Sequence, residues 1–342
     1  MKQNGSAEAL RLTDSWFRHN GLTYFVPEER VAVRAAMRPR RTVRVGLVVV
    51  VVAVAAGVAL AWTTGDVGAA PALLLTLGVA AAGWYALTAM RFRPILVWAM
   101  GRTFGSLTRL LPMALRALPL LLLFMTFLFI NAEVWEMSAN LDLGALWLVT
   151  LLFAGSGVAF LLVRLPEEVD RIDDDVDAAF LTRTCRGTPL EAACAELVED
   201  AREGRGTDPA ELAQVTGFER WNLVLALLVI QATQVVLIAV AVFAFFLLFG
   251  AIVMTDGVQL GWTGQQSLHN LSWLPNVSGE LVKVALFLAG FSSLYLTVST
   301  VTDETYREQF FGTVLREIER AVGMRAVYLT LRARQTAQVT SE

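Results

Sequence analysis

Six apolar blocks govern what this chain can become, because each approaches or exceeds the ~20 residues an α-helix needs to cross a ~30 Å hydrocarbon core. They cover 45–62, 70–90, 114–132, 144–163, 223–254 and 281–300. In lipid every backbone N–H and C=O must be bonded within the structure, so blocks of this length are helices. The expected fold class is an all-α integral membrane protein with six transmembrane helices. Composition agrees, with 56% apolar and 17% charged residues against about 25% charged in soluble chains. The third block departs most from the pattern, since Arg116 and Pro119 sit in its first turns. A snorkelling Arg and a membrane-helix Pro are both tolerated there. The fifth block is too long: 32 residues at 1.5 Å each reach ~48 Å, so it tilts, projects from the bilayer or breaks near Gly250.

The distribution of Arg and Lys sets the expected orientation. Segments 63–69, 133–143 and 255–280 contain neither residue, whereas Arg38, Arg40, Arg41 and Arg44 precede the first block. Arg91, Arg93, Arg102 and Arg109 separate the second and third, and Arg316, Arg320 and Arg325 follow the sixth. Both termini are therefore expected in the cytoplasm. The first forty residues are polar and amphipathic, unlike a cleavable leader. The bias toward Arg over Lys suits a GC-rich bacterial genome, and the expected location is the cytoplasmic membrane.

The chain then divides into an amphipathic N-terminal segment (1–44), four spans (45–163), an acidic helical connection (164–220), two spans with an outer loop at 255–280 (221–300), and a C-terminal helix and tail (301–342). In the connection, Val169, Ile172, Val176 and Phe180 recur at helical spacing. Arg171 is placed to pair with Glu167 and Asp175. The stretch 188-TPLE-191 has the grammar of a capped helix start, followed by a buried face of Leu190, Cys194, Leu197 and Val198 and a stop at Gly204 or Gly206. A further start is read at 208-DPAE-211, and a break or bend at Gly323 in the C-terminal helix. Cys185 and Cys194, nine residues apart without a nearby His, read as small buried residues in a reducing compartment.

The densest chemistry is acidic: residues 167–177 hold seven carboxylates, and 164–220 holds fifteen against seven Arg. Asp173, Asp175 and Asp177 match the opening of a calcium loop, but that loop needs Gly and Glu where Ala178 and Thr184 stand. Two readings remain open. The acids are either a solvated helix face or, in a homo-oligomer, a ring at a pore mouth that concentrates cations. On the second reading Glu167, Asp170, Asp173, Asp174, Asp175 and Asp177 form an inner vestibule. Gly290, Ser293, Thr297 and Thr300 share one face of the sixth span and either line a narrow path or permit close packing with their hydroxyls bonded to their own helix. Gln231 and Gln234 are polar at membrane depth and need partners.

Enzymatic readings find little support. His19 and His269 fall on opposite sides of the membrane, and Ser156 in 155-GSG-157 has no His at its depth to activate it. Neither phosphate loop nor dinucleotide fingerprint occurs, and no cofactor or metal is expected. Scattered basic residues argue against nucleic acid. The expected partners are the lipid bilayer, further copies of the chain and a cytoplasmic protein. The leading functional expectation is an oligomeric, channel-like protein passing small cations. The alternative is a non-conducting scaffold or regulator that docks a partner through its cytoplasmic helices, and a substrate-specific transporter comes third.

Overall fold

In the computed structural model the described residues are 2–65, 68–105, 119, 121–174, 176–205, 207–271, 274–302 and 304–341. The chain is an all-α, multi-pass membrane protein. Among the described residues five helices are long and apolar enough to cross a bilayer, or six if one bent pair counts as a single span. Two of them, α3 (Pro39–Thr64) and α4 (Ala69–Thr88), form a hairpin. Its tight contact uses Gly57, where a Cβ would lie 2.9 Å from the carbonyl oxygen of Ala70. Beyond them, α8 (Leu143–Asp174) and α11 (Gly217–Val253) pack on α13 (Gly279–Thr302), the span with the largest share buried inside the protein.

The bent pair is α6 (Leu121–Phe129) and α7 (Ala132–Asn140), which meet at 76°. The first turns of the expected third span, with Arg116, lie outside the described residues. Its described end stops short of 132, because the side chain of Asn131 accepts hydrogen bonds from the backbone N–H groups of Glu133 and Val134 and opens α7. The segment read as an outer connector is thus itself helical. Trp135 anchors it, buried against Phe129 and donating its indole N–H to that residue's carbonyl at 2.6 Å. The outer loop likewise folds, into α12 (Asp256–Thr263) and a short hairpin of β1 (Asn270–Leu271) and β2 (Leu274–Ser278).

A second layer is built from both ends of the chain and the acidic connection. It comprises α1 (Lys2–His19), a 3-10 turn at Thr23–Phe25, α2 (Pro27–Ala36), α5 (Arg93–Gly105), α9 (Ala178–Cys185), α10 (Glu191–Arg202) and α14 (Glu304–Ser341). Its core is one apolar cluster that includes Phe17, Phe25, Leu181, Leu197, Val322 and Val327. The terminal helices touch: Phe17 meets Tyr328 edge-on, and the Tyr328 hydroxyl donates to Asp14 at 2.7 Å. On the far side of the layer, Arg334 holds Asp200 at 2.9 Å, which keeps that carboxyl below its usual range.

The surplus length of the fifth apolar block is resolved by projection. α11 runs unbroken for 37 residues, ~56 Å at 1.5 Å per residue, and its first turns bury Leu223, Val224 and Leu227 in the layer core. Gly250 does not break it; instead it admits Leu281 and Phe129, whose side chains a Cβ would strike. α8 makes the same crossing despite an internal Pro166. Gly323 is a similar correction, since α14 continues through it and the missing Cβ makes room for Thr184, whose Oγ1 would lie 2.0 Å away. The expected start at 208–211 yields only a 3-10 turn, Pro209–Leu212, capped by Asp208. Near 188, Leu190 occupies the N-cap, and Glu191 reaches back to the Gly187 N–H at 2.8 Å.

Candidate functional site

The acidic run lies where α8 leaves the membrane and meets the start of α11, and most of its described members bond to neighbouring groups. Glu167 pairs with Arg164 at 2.7 Å, one turn before it. Asp170 takes both of its bonds from Arg220, at 2.9 and 2.6 Å. Asp173 accepts the backbone N–H of Val215 at 2.8 Å. α8 ends at Asp174, so Val176 and Phe180 do not continue its stripe; Asp177 caps α9 by accepting the Phe180 N–H at 2.7 Å. Arg171 pairs with Glu168 rather than Glu167, since Glu167 is already engaged by Arg164. The Asp174 side chain and Asp175 lie outside the described residues. Asp170, Asp173 and Arg220 line a cleft of about 350 Å³ between the two long helices.

The small polar face of α13 meets α8 rather than an aqueous space. Gly290 lets Phe153 approach, and Thr297 sits against Gly157. The Ser293 hydroxyl donates to the Gly290 carbonyl at 2.6 Å and Thr297 to that of Ser293 at 2.7 Å, so both are satisfied within their own helix. The Thr300 side chain is not among those described. Beside this face runs a groove of about 340 Å³ walled by α8, α11 and α13. Gln231 and Gln234 are buried on α11, as is Ser292 on α13. The Gln234 Oε1 and Ser292 Oγ atoms have no hydrogen-bond partner among the described residues. A buried polar group left so costs about 1–3 kcal/mol.

Three charged features were not foreseen from the sequence. Glu219, 3% exposed, accepts from Arg325 at 2.6 Å and from Arg30 at 2.7 Å. Arg325 also donates to the carbonyls of Leu212 and Gln214 at 2.8 and 3.0 Å, so one buried cluster ties α2, α11, α14 and the 209–212 turn together. Lys283, on α13, donates to the carbonyls of Ala139 and Leu141 at 2.9 and 2.7 Å and so closes the C-terminal end of α7. His269 meets the buried Glu280 at 3.0 Å beside the hairpin. No local pattern announced any of these, since each partner lies in another element.

Three groups of the layer, Cys185, Tyr24 and Tyr328, hold their protons above the ordinary range. Cys185 and Cys194 lie buried side by side, and the hydrogen bond from its neighbour together with burial pushes the Cys185 thiol up. Burial pushes Tyr24 up to about 12. Among the described residues no group of three or more His, Cys, Asp or Glu could hold a metal ion. No protein-family model, curated protein or solved structure matches this chain.

Proposed function

We propose that the protein is a six-span scaffold or regulator of a cytoplasmic membrane, with both termini inside, which docks a protein partner on its helical layer. The observation that carries this reading is the continuity of α8 and α11 from the membrane into the core that both chain ends complete. Contact between α1 and α14 needs an even number of crossings, which favours counting the bent pair of α6 and α7 as one span. The Arg distribution puts that shared side in the cytoplasm. The acids at 167–177 then act as caps and ties of the layer. The outer face of α10, with Glu196 and Glu199 exposed, suits a basic partner.

A second reading, the oligomeric cation channel, is favoured by the Gln234 and Ser292 atoms at membrane depth, which have no partner among the described residues; a hydrated path would satisfy them. Proteoliposomes separate the two. The scaffold predicts that vesicles loaded with potassium keep their gradient as long as protein-free vesicles do. It also predicts a cross-linked partner band in native membranes that Glu196→Lys with Glu199→Lys removes. Potassium release that falls when Asp170 and Asp173 both become Asn would establish the channel instead.

A further inference from the structure

We infer that the groove between α8, α11 and α13 is a binding site for one acyl chain of a phospholipid, with the lipid phosphate held at Arg164. Its mouth opens sideways through Val158, Val236 and Val240, which are 40%, 59% and 59% exposed, so hydrocarbon reaches it directly. The hydroxyls of Ser293 and Thr297 are turned into their own helix, which leaves the walls apolar.

Length and position choose the occupant. The groove runs from Thr150 to Leu161 on α8, from Ala232 to Phe243 on α11 and from Leu286 to Thr297 on α13. Each stretch rises ~16 Å at 1.5 Å per residue, and half of a ~30 Å hydrocarbon core is ~15 Å. The site is therefore one leaflet deep, and Leu161 marks the end nearest the helical layer. Width agrees: an open groove of about 340 Å³ drawn out along ~16 Å of helix admits a chain rather than a helix ~10 Å across.

Charge completes the site. Arg164 follows Gly157 and Leu161 on the same face of α8, at the seven- and three-residue spacings that align side chains. Its side chain is 42% exposed and uses one Nη1 bond on Glu167. The remaining donors of the fork are suited to a phosphate.

The test uses the full chain in nanodiscs of phosphatidylcholine with a trace of phosphatidylglycerol whose chain ends in a photoreactive diazirine. Irradiation and peptide mass spectrometry should place adducts on Phe153, Phe243 and Leu286, well above those on the exposed Val48 and Val51 of α3. Ala154→Leu and Ala239→Leu, on opposite walls, should each lower groove labelling about tenfold, since added methylenes fill the space. Arg164→Gln should lower the adduct yield severalfold while leaving the adducts on the same groove residues, and an unchanged yield would overturn the assignment of the phosphate to Arg164. Adducts spread evenly over the exposed valines would overturn the proposal, and this arm needs no variant to fold. So would a cross-linked dimer through the groove with no lipid adduct, which would make the occupant a second copy.

Discussion

At the scale of single residues, the buried cluster of Glu219, Arg325 and Arg30 decides whether the layer holds. Two guanidinium groups face one carboxylate, and Arg325 also donates to backbone carbonyls. Removing one partner of a buried pair costs about 3–5 kcal/mol, whereas an apolar replacement of the whole set is far milder. Glu219→Leu, which leaves two cations facing each other, should therefore destabilise the layer by that amount in a urea titration. Adding Arg325→Leu should return part of it. Nothing in the sequence announced this cluster, because Glu219 and Arg325 stand 106 positions apart and each resembles an ordinary surface charge on an amphipathic helix. The acids at 167–177 posed the opposite difficulty. Their density was obvious, but their uses depend on Arg220 and the Val215 amide, which only the folded chain brings near.

At the scale of elements, a cap can be told from a vestibule charge. Asp177 begins α9 by accepting one backbone N–H, a role that Asn fills nearly as well and Ala does not. Asp177→Ala should lower the stability of α9 by about 1 kcal/mol, read as faster hydrogen exchange of its amides, while Asp177→Asn should change little. A residue acting through its charge would respond equally to both. The starts read at 188 and 208 were displaced or cut short. The long apolar helices and the end of α10 before Gly204 were legible because they rest on local patterns, continuous hydropathy and a small residue at a helix end. α7 was not, since its start depends on Asn131 acting as a cap inside what reads as a polar connector. The hairpin at 270–278 was missed for a similar reason. Its pairing is carried by the backbone and by the buried Ser278 hydroxyl, which donates to Gln259 of α12 at 2.6 Å, a contact no periodicity encodes.

At the scale of the whole molecule, the two chain ends lock each other. Tyr328 is raised above its ordinary value of 10, first by burial and then by Asp14. A phenol that keeps its proton longer when folded contributes stability that is present below pH 10 and lost as the pH rises past it. The α1–α14 contact should therefore loosen above about pH 10, with tyrosinate absorbance appearing later than in the unfolded chain. Asp14→Asn should leave the onset in place but shorten that lag. The lateral groove was likewise beyond the sequence, which supplied its small residues on three separate helices without their alignment.

The two long helices differ in stiffness. α11 has no proline along its 37 residues, whereas Pro166 interrupts the hydrogen-bond ladder of α8 close to where its charged segment begins. One behaves as a rigid shaft and the other as a shaft with a joint. A torque applied to the helical layer would accordingly turn about the α11 axis and be taken up at residue 166. The far end of α11 packs against α13 where Gly250 meets Leu281, so such a twist would be carried along α11 and not along α8.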